Sequence, residues 1–187
     1  MNKKLLKWFI ILLPAIAILL FLLIIALIPN KTEELPKIKY KDFTTKDSRV
    51  TFSLDEKYKQ EEKGEYDLYL NYNNEKIVGV FTYNLNEYEQ NSSKEILDNR
   101  ARSFLSTKQN MKLFKKETKT ELEDKTITTV EYSGKTDKSS ECVYIISVID
   151  FKNDPNYVVY INEVILKNQY ELNIREMNNI LQSAKLN

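Results

Sequence analysis

The sequence predicts an α+β protein: a transmembrane helix, then an antiparallel β-sheet packed against about two helices. Three observations predict it. A long uncharged run opens the chain. Later segments alternate apolar and polar residues at the period of two that strands require, and two stretches carry apolar stripes at helical spacing.

The opening run, Trp8 to Asn30, holds 23 residues without a charge. At the helical rise it spans roughly 34 Å, enough for a ~30 Å hydrocarbon layer. A cleaved signal peptide has a shorter apolar region followed by a small-x-small site. The triplet Ala15-Ile16-Ala17 sits instead in mid-run, so an uncleaved anchor is expected. No cysteine stands at the end of the run, which excludes a lipobox. Lys3, Lys4 and Lys7 precede it and every acidic residue follows it. The positive-inside bias then puts the N-terminus in the cytoplasm and the C-terminal domain outside the cell membrane. Pro14 is read as a local kink. The expected division is a cytoplasmic N-terminus (1–7), a transmembrane helix (8–29), a tether (30–38) and an extracytoplasmic domain (39–187). Even fully extended, the polar stretch Asn30 to Lys37 reaches under ~30 Å, which keeps the domain near the membrane surface.

Ser48 to Leu54 reads as the first strand, with Val50, Phe52 and Leu54 inward. Tyr66 to Tyr72 and Ile77 to Tyr83 read as a hairpin around Asn73-Asn74-Glu75-Lys76. Ser92-Ser93-Lys94-Glu95 is a capping box, with Ser92 as N-cap, and it also accounts for the Asn91-Ser92-Ser93 sequon. Behind it Ile96, Leu97, Ala101, Phe104 and Leu105 share one helical stripe. Lys112 to Thr120 and Thr126 to Tyr132 form a second pair, around Glu123-Asp124. Cys142 to Phe151 and Tyr157 to Leu166 form a third, around Asn153-Asp154-Pro155-Asn156. The Cys142 to Phe151 strand is apolar on both faces, so both faces should be covered. A last helix carries Ile174, Met177, Ile180, Leu181 and Ala184 on one stripe.

The chain thus sets an opening strand Val50-Thr51-Phe52-Ser53-Leu54 before a central helix from Ser93 to Thr107. Later strands follow, then a helix ending Ile180-Leu181-Gln182-Ser183-Ala184-Lys185-Leu186. From about Lys39 to Asn187 this order resembles the PsbP/Mog1-like fold. The resemblance implies a binding or assembly role, often beside a membrane complex, and no shared catalytic residues.

The composition narrows the chemistry. The chain has no histidine, which removes His-based triads, Cys–His pairs and HExxH zinc sites. Its one cysteine, Cys142, excludes an intramolecular disulfide and reads as a core residue, a reactive or intermolecular thiol being the alternative. Net charge is +1 and three lysines precede the run, leaving −2 beyond it, so no basic face for nucleic acid is expected. The excess of Lys over Arg, with abundant Asn, Ile and Tyr, reads as the codon bias of an AT-rich bacterial genome. Asp150, Asn153 and Asp154 lack EF-hand spacing, and Glu121, Glu123 and Asp124 sit at a polar hairpin tip; turn chemistry accounts for both groups. No catalytic residue, metal ligand or cofactor is nominated.

Five residues are the binding candidates. Tyr69, Tyr83 and Tyr160 belong to an aromatic surplus that suits an interface or a second-face core under a helix. Lys115 and Lys116 belong to a basic strip, Lys112 to Lys119, that suits anionic headgroups or a protected edge strand. The leading expectation is a non-catalytic, membrane-tethered binding or assembly domain. Its partners would be membrane lipid, through the anchor, and an envelope or membrane protein. An envelope-acting hydrolase and a membrane-bound immunity or inhibitor protein are the alternatives.

Overall fold

The computed structural model describes residues 38–87, 92–136 and 139–187. The expected anchor, and all of the expected tether except Ile38, lie outside the described residues. So does Asn91 of the sequon. Among the described residues no helix is long and apolar enough to cross a membrane.

The domain is α+β, with antiparallel sheets and two helices, but the sheet count differs from the expected one. A three-stranded sheet, ordered β1-β2-β10, accompanies a seven-stranded sheet, ordered β3-β4-β5-β9-β8-β7-β6. The small sheet pairs β1 (Tyr40–Thr44) with β2 (Val50–Asp55), and Phe43 lies opposite Phe52. Val50, Phe52 and Leu54 point inward as the alternation requires, each at most 1% exposed. The short β10 (Lys185–Leu186) closes the other side of β2. Neither β1 nor β10 was expected: β1 buries only Phe43, and two-residue β10 is too short for a pattern.

In the large sheet, β3 (Lys59–Gln60) and β4 (Leu68–Tyr72) lead into β5 (Lys76–Asn84). The β4–β5 turn places Asn73 and Asn74 at φ 52° and 60°, a left-handed conformation that Asn tolerates. Helix α1 (Ser93–Thr107) starts where Ser92 Oγ accepts the Glu95 backbone N–H at 3.2 Å. It buries Ile96, Leu97 and Ala101, while Leu105 stays 38% exposed. The four long strands follow: β6 (Gln109–Glu121), β7 (Lys125–Lys135), β8 (Glu141–Phe151) and β9 (Asp154–Leu166). The last turn falls at Lys152–Asn153, not at Asn153–Asn156. Pro155 sits inside β9 because a register shift after Asp150/Phe151 leaves it without a ladder bond to donate. A 3₁₀ turn (Lys167–Gln169) then feeds α2 (Tyr170–Ser183).

β8 and β9 are covered on both faces. One core joins α2 and the small sheet to Val143, Ile145, Ile149, Val159 and Ile161. The other joins α1 to Ile146, Val148, Val158 and Tyr160. Cys142 is 2% exposed, and burial pushes its thiol pKa up, away from reactivity.

Candidate functional site: a groove between the second helix and the β6–β7 hairpin

Helix α2 packs on β2 and β9. The outer hairpin β6–β7 meets it at Tyr170 and otherwise leaves a groove of about 260 Å³. The register of β6 decides what lines it. Three shifts, between Gln109/Lys112, Leu113/Lys115 and Lys115/Thr118, each insert one extra residue. Such bulges reset the side-chain alternation. Lys115 therefore faces Glu131, Thr118 faces Thr129 and Thr120 faces Ile127, all on the α2 side. Asn178, Gln182, Ile174 and Leu181 supply the opposite wall. The groove thus offers hydroxyl and amide groups at its rim over an aliphatic floor.

Its inner end is ionic. Glu131, 8% exposed, accepts a hydrogen bond from the Tyr170 hydroxyl at 2.7 Å. Lys115 Nζ lies 3.8 Å from the other Glu131 oxygen and donates to the Tyr170 hydroxyl. Phe114 closes edge-on against the Tyr170 ring at 5.0 Å. Burial, then the Glu131 acceptor, pushes the Tyr170 phenol up, so it stays protonated and donating.

Across the sheet the same row runs Glu131, Ile145, Glu163. Glu163 is fully buried, and neither of its oxygens has a hydrogen-bond partner among the described residues. Burial, followed by the charges of Glu131 and Glu176, raises its pKa well above the usual carboxylate range. Beyond it the buried Lys76 ammonium meets Glu176 at 2.6 Å and lies 4.0 Å from the centre of the Tyr72 ring. Three carboxylates are thus close enough to couple, but Glu163 is sealed from solvent and cannot reach a substrate.

The tyrosine candidates and Lys115 end on opposite faces of the sheet. Tyr69, Tyr83 and Tyr160 lie on the α1 face, at 8%, 7% and 1% exposure. There they join Tyr66, Phe81 and Arg100: the Tyr66–Tyr69 centroids are 5.1 Å apart, and the guanidinium sits 4.6 Å from Phe81 and 5.6 Å from Tyr160. The Arg100 guanidinium donates to the Tyr83 hydroxyl. Gly79, opposite Tyr69, has no side chain to block the Tyr66 ring that lies over it. Lys115 sits in the groove, and Lys116 is exposed on the edge strand. Asp154 pairs with Arg49, and Glu121 with Lys119 at 2.8 Å. Sequence reasoning missed Glu131, Glu163 and Tyr170. The one signal was the polar pair Asn162-Glu163 inside the apolar run from Tyr157 to Leu166.

No protein-family model matches the sequence, and no curated protein matches it. Solved structures do. The cyanobacterial PsbP (CyanoP) of Synechocystis sp. PCC 6803 superposes with a TM-score of 0.61 at 6% identity, over 82% of this chain and 96% of that one. The Ran-binding protein Mog1p of Saccharomyces cerevisiae gives 0.52 at 12% identity, over 80% and 96%. LpqN of Mycobacterium tuberculosis, involved in cell envelope biogenesis, gives 0.55 at 9% identity, over 80% and 91%. The chain has the PsbP/Mog1-like fold.

Proposed function

We propose that this is a non-catalytic binding domain, held at the outer side of the cell membrane by its N-terminal anchor, with the α2/β6–β7 groove as its ligand site. The observation that carries the reading is the state of Glu131. The one carboxylate that lines the groove among the described residues is held by Tyr170 and Lys115. A general base needs a free lone pair aimed at substrate; this carboxylate is fixed as part of the wall. The rest of the lining suits recognition of an uncharged polar surface, either an extended peptide or an envelope component. Fold neighbours that bind Ran or take part in envelope biogenesis are consistent with such a role.

Site-specific photocrosslinking in intact cells tests this. A crosslinker at Gln182 should capture a discrete envelope component, and Thr120→Trp, which fills the groove, should abolish the product. Equal capture from Gln182 and from exposed Lys59 on the far edge strand would overturn the site. Capture of cytosolic proteins alone would overturn the topology.

A further inference from the structure

Among the described residues β6 is an edge strand of the seven-stranded sheet, and its first half reads Lys112-Leu113-Phe114-Lys115-Lys116. Leu113 is 54% exposed and Phe114 37%, an adjacent apolar pair open to solvent. Leu113 lies opposite Tyr132 on the α1 side, and Phe114 meets Tyr170 on the α2 side, so the pair straddles the edge. The charges on this strand divide. In its second half Glu117 is held by Lys94 at 2.7 Å and Glu121 by Lys119 at 2.8 Å. In its first half Lys112 and Lys116 make no ion pair among the described residues. Lys135 and Lys167 border the same end, beside a hollow of about 220 Å³ shared with Lys112 and Glu141. Glu141, the acidic residue there, is held by Lys167 at 3.1 Å.

We propose that the edge from Lys112 to Lys116 is a contact surface for an anionic lipid bilayer. Lysines beside exposed Leu and Phe match a headgroup layer, where ammonium groups reach phosphate and the apolar pair reaches the acyl boundary. The unpaired backbone groups of the edge fix the depth: they stay in the hydrated headgroup layer, because hydrocarbon would leave them unsatisfied. The bulges argue against a partner strand at the same edge. Three one-residue insertions within β6 leave no long run of evenly spaced donors and acceptors for it to pair with. This inference goes beyond the groove and does not depend on the anchor.

The test uses residues 38–187, a separate compact unit that contains both hydrophobic cores. The domain should sediment with phosphatidylcholine vesicles containing phosphatidylglycerol, not with phosphatidylcholine alone, and should be released by salt. Lys112→Gln and Lys116→Gln should each lower the partition coefficient about fivefold. Leu113→Ser should weaken binding without changing its salt dependence, and Lys59→Gln should leave it unchanged. Equal binding to both vesicle types, or partition unaltered by the paired lysine changes in a domain whose melting curve is normal, overturns the proposal. No binding to either overturns it too, and leaves this edge to an acidic protein partner.

Discussion

Glu163 sits in mid-β9 with both oxygens buried and neither hydrogen-bonded among the described residues. A carboxylate there would be very costly, so burial keeps the group protonated, and Glu131 and Glu176 push the same way. The pH consequence has a definite sign. The folded-state pKa lies well above the ordinary glutamate value of 4.5. Stability from this group is therefore complete below about pH 4.5 and is lost as pH climbs toward the folded pKa. Glu163→Met keeps the length and removes the acid. It should raise unfolding free energy by roughly 1–3 kcal/mol at neutral pH and flatten the loss on the alkaline side. Urea melts of parent and variant across the pH range check this; parallel pH profiles would show that Glu163 is not a neutral acid in the fold.

Local sequence rules set the ends of some elements and not others. Helix α1 begins at its expected cap, where Ser92 satisfies an otherwise orphaned N–H. Ser92→Ala should cost about 1 kcal/mol and lower the melting temperature by about 3 °C, with Ser92→Asp restoring both. A thermal melt unaffected by the alanine change would place α1's stability entirely in its packing on β8 and β9. Strand β6 is the opposite case. Its three bulges carry no glycine or proline mark in Lys112 to Thr120. They nevertheless bring Phe114 and Lys115 together against Tyr170, which regular alternation would forbid.

The two sheets are tied together at the C-terminal end of the domain. After α2 the chain turns into β10, and the Asn187 backbone N–H donates to the Arg49 carbonyl at 2.8 Å. Lys125 is only 3% exposed, yet its ammonium donates to the Ala184 carbonyl at 2.7 Å and to Asp124 at 2.9 Å. Arg49 also stacks 3.9 Å from the centre of the Tyr157 ring, and the Tyr157 hydroxyl donates to Asp47. Deleting residues 184–187 removes one of the two ladder partners of β2 and leaves a buried ammonium short of an acceptor. The urea midpoint should fall by an amount equivalent to roughly 2–4 kcal/mol, with the m-value unchanged. A midpoint within error of the parent would mean that β10 is an ornament on β2.

At this scale the division between sequence and structure is a physical one. The sequence alone determined the two helices and the cores of β2, β4, β5, β7, β8 and β9. Alternation and helical stripes are written within a single segment, and they state which side chains must leave water. It also placed α1's cap and the double-sided burial of β8. Only the tertiary structure decided β1, β3 and β10, which bury too little to carry a pattern. The β6 register was decided there as well, because it depends on where β7 lies. So was the groove, whose walls come from residues about sixty positions apart, Thr118 and Asn178 among them. Periodicity says which face turns inward; it does not say which distant segment meets that face, and Glu131, Tyr170 and Glu163 became neighbours only through that meeting.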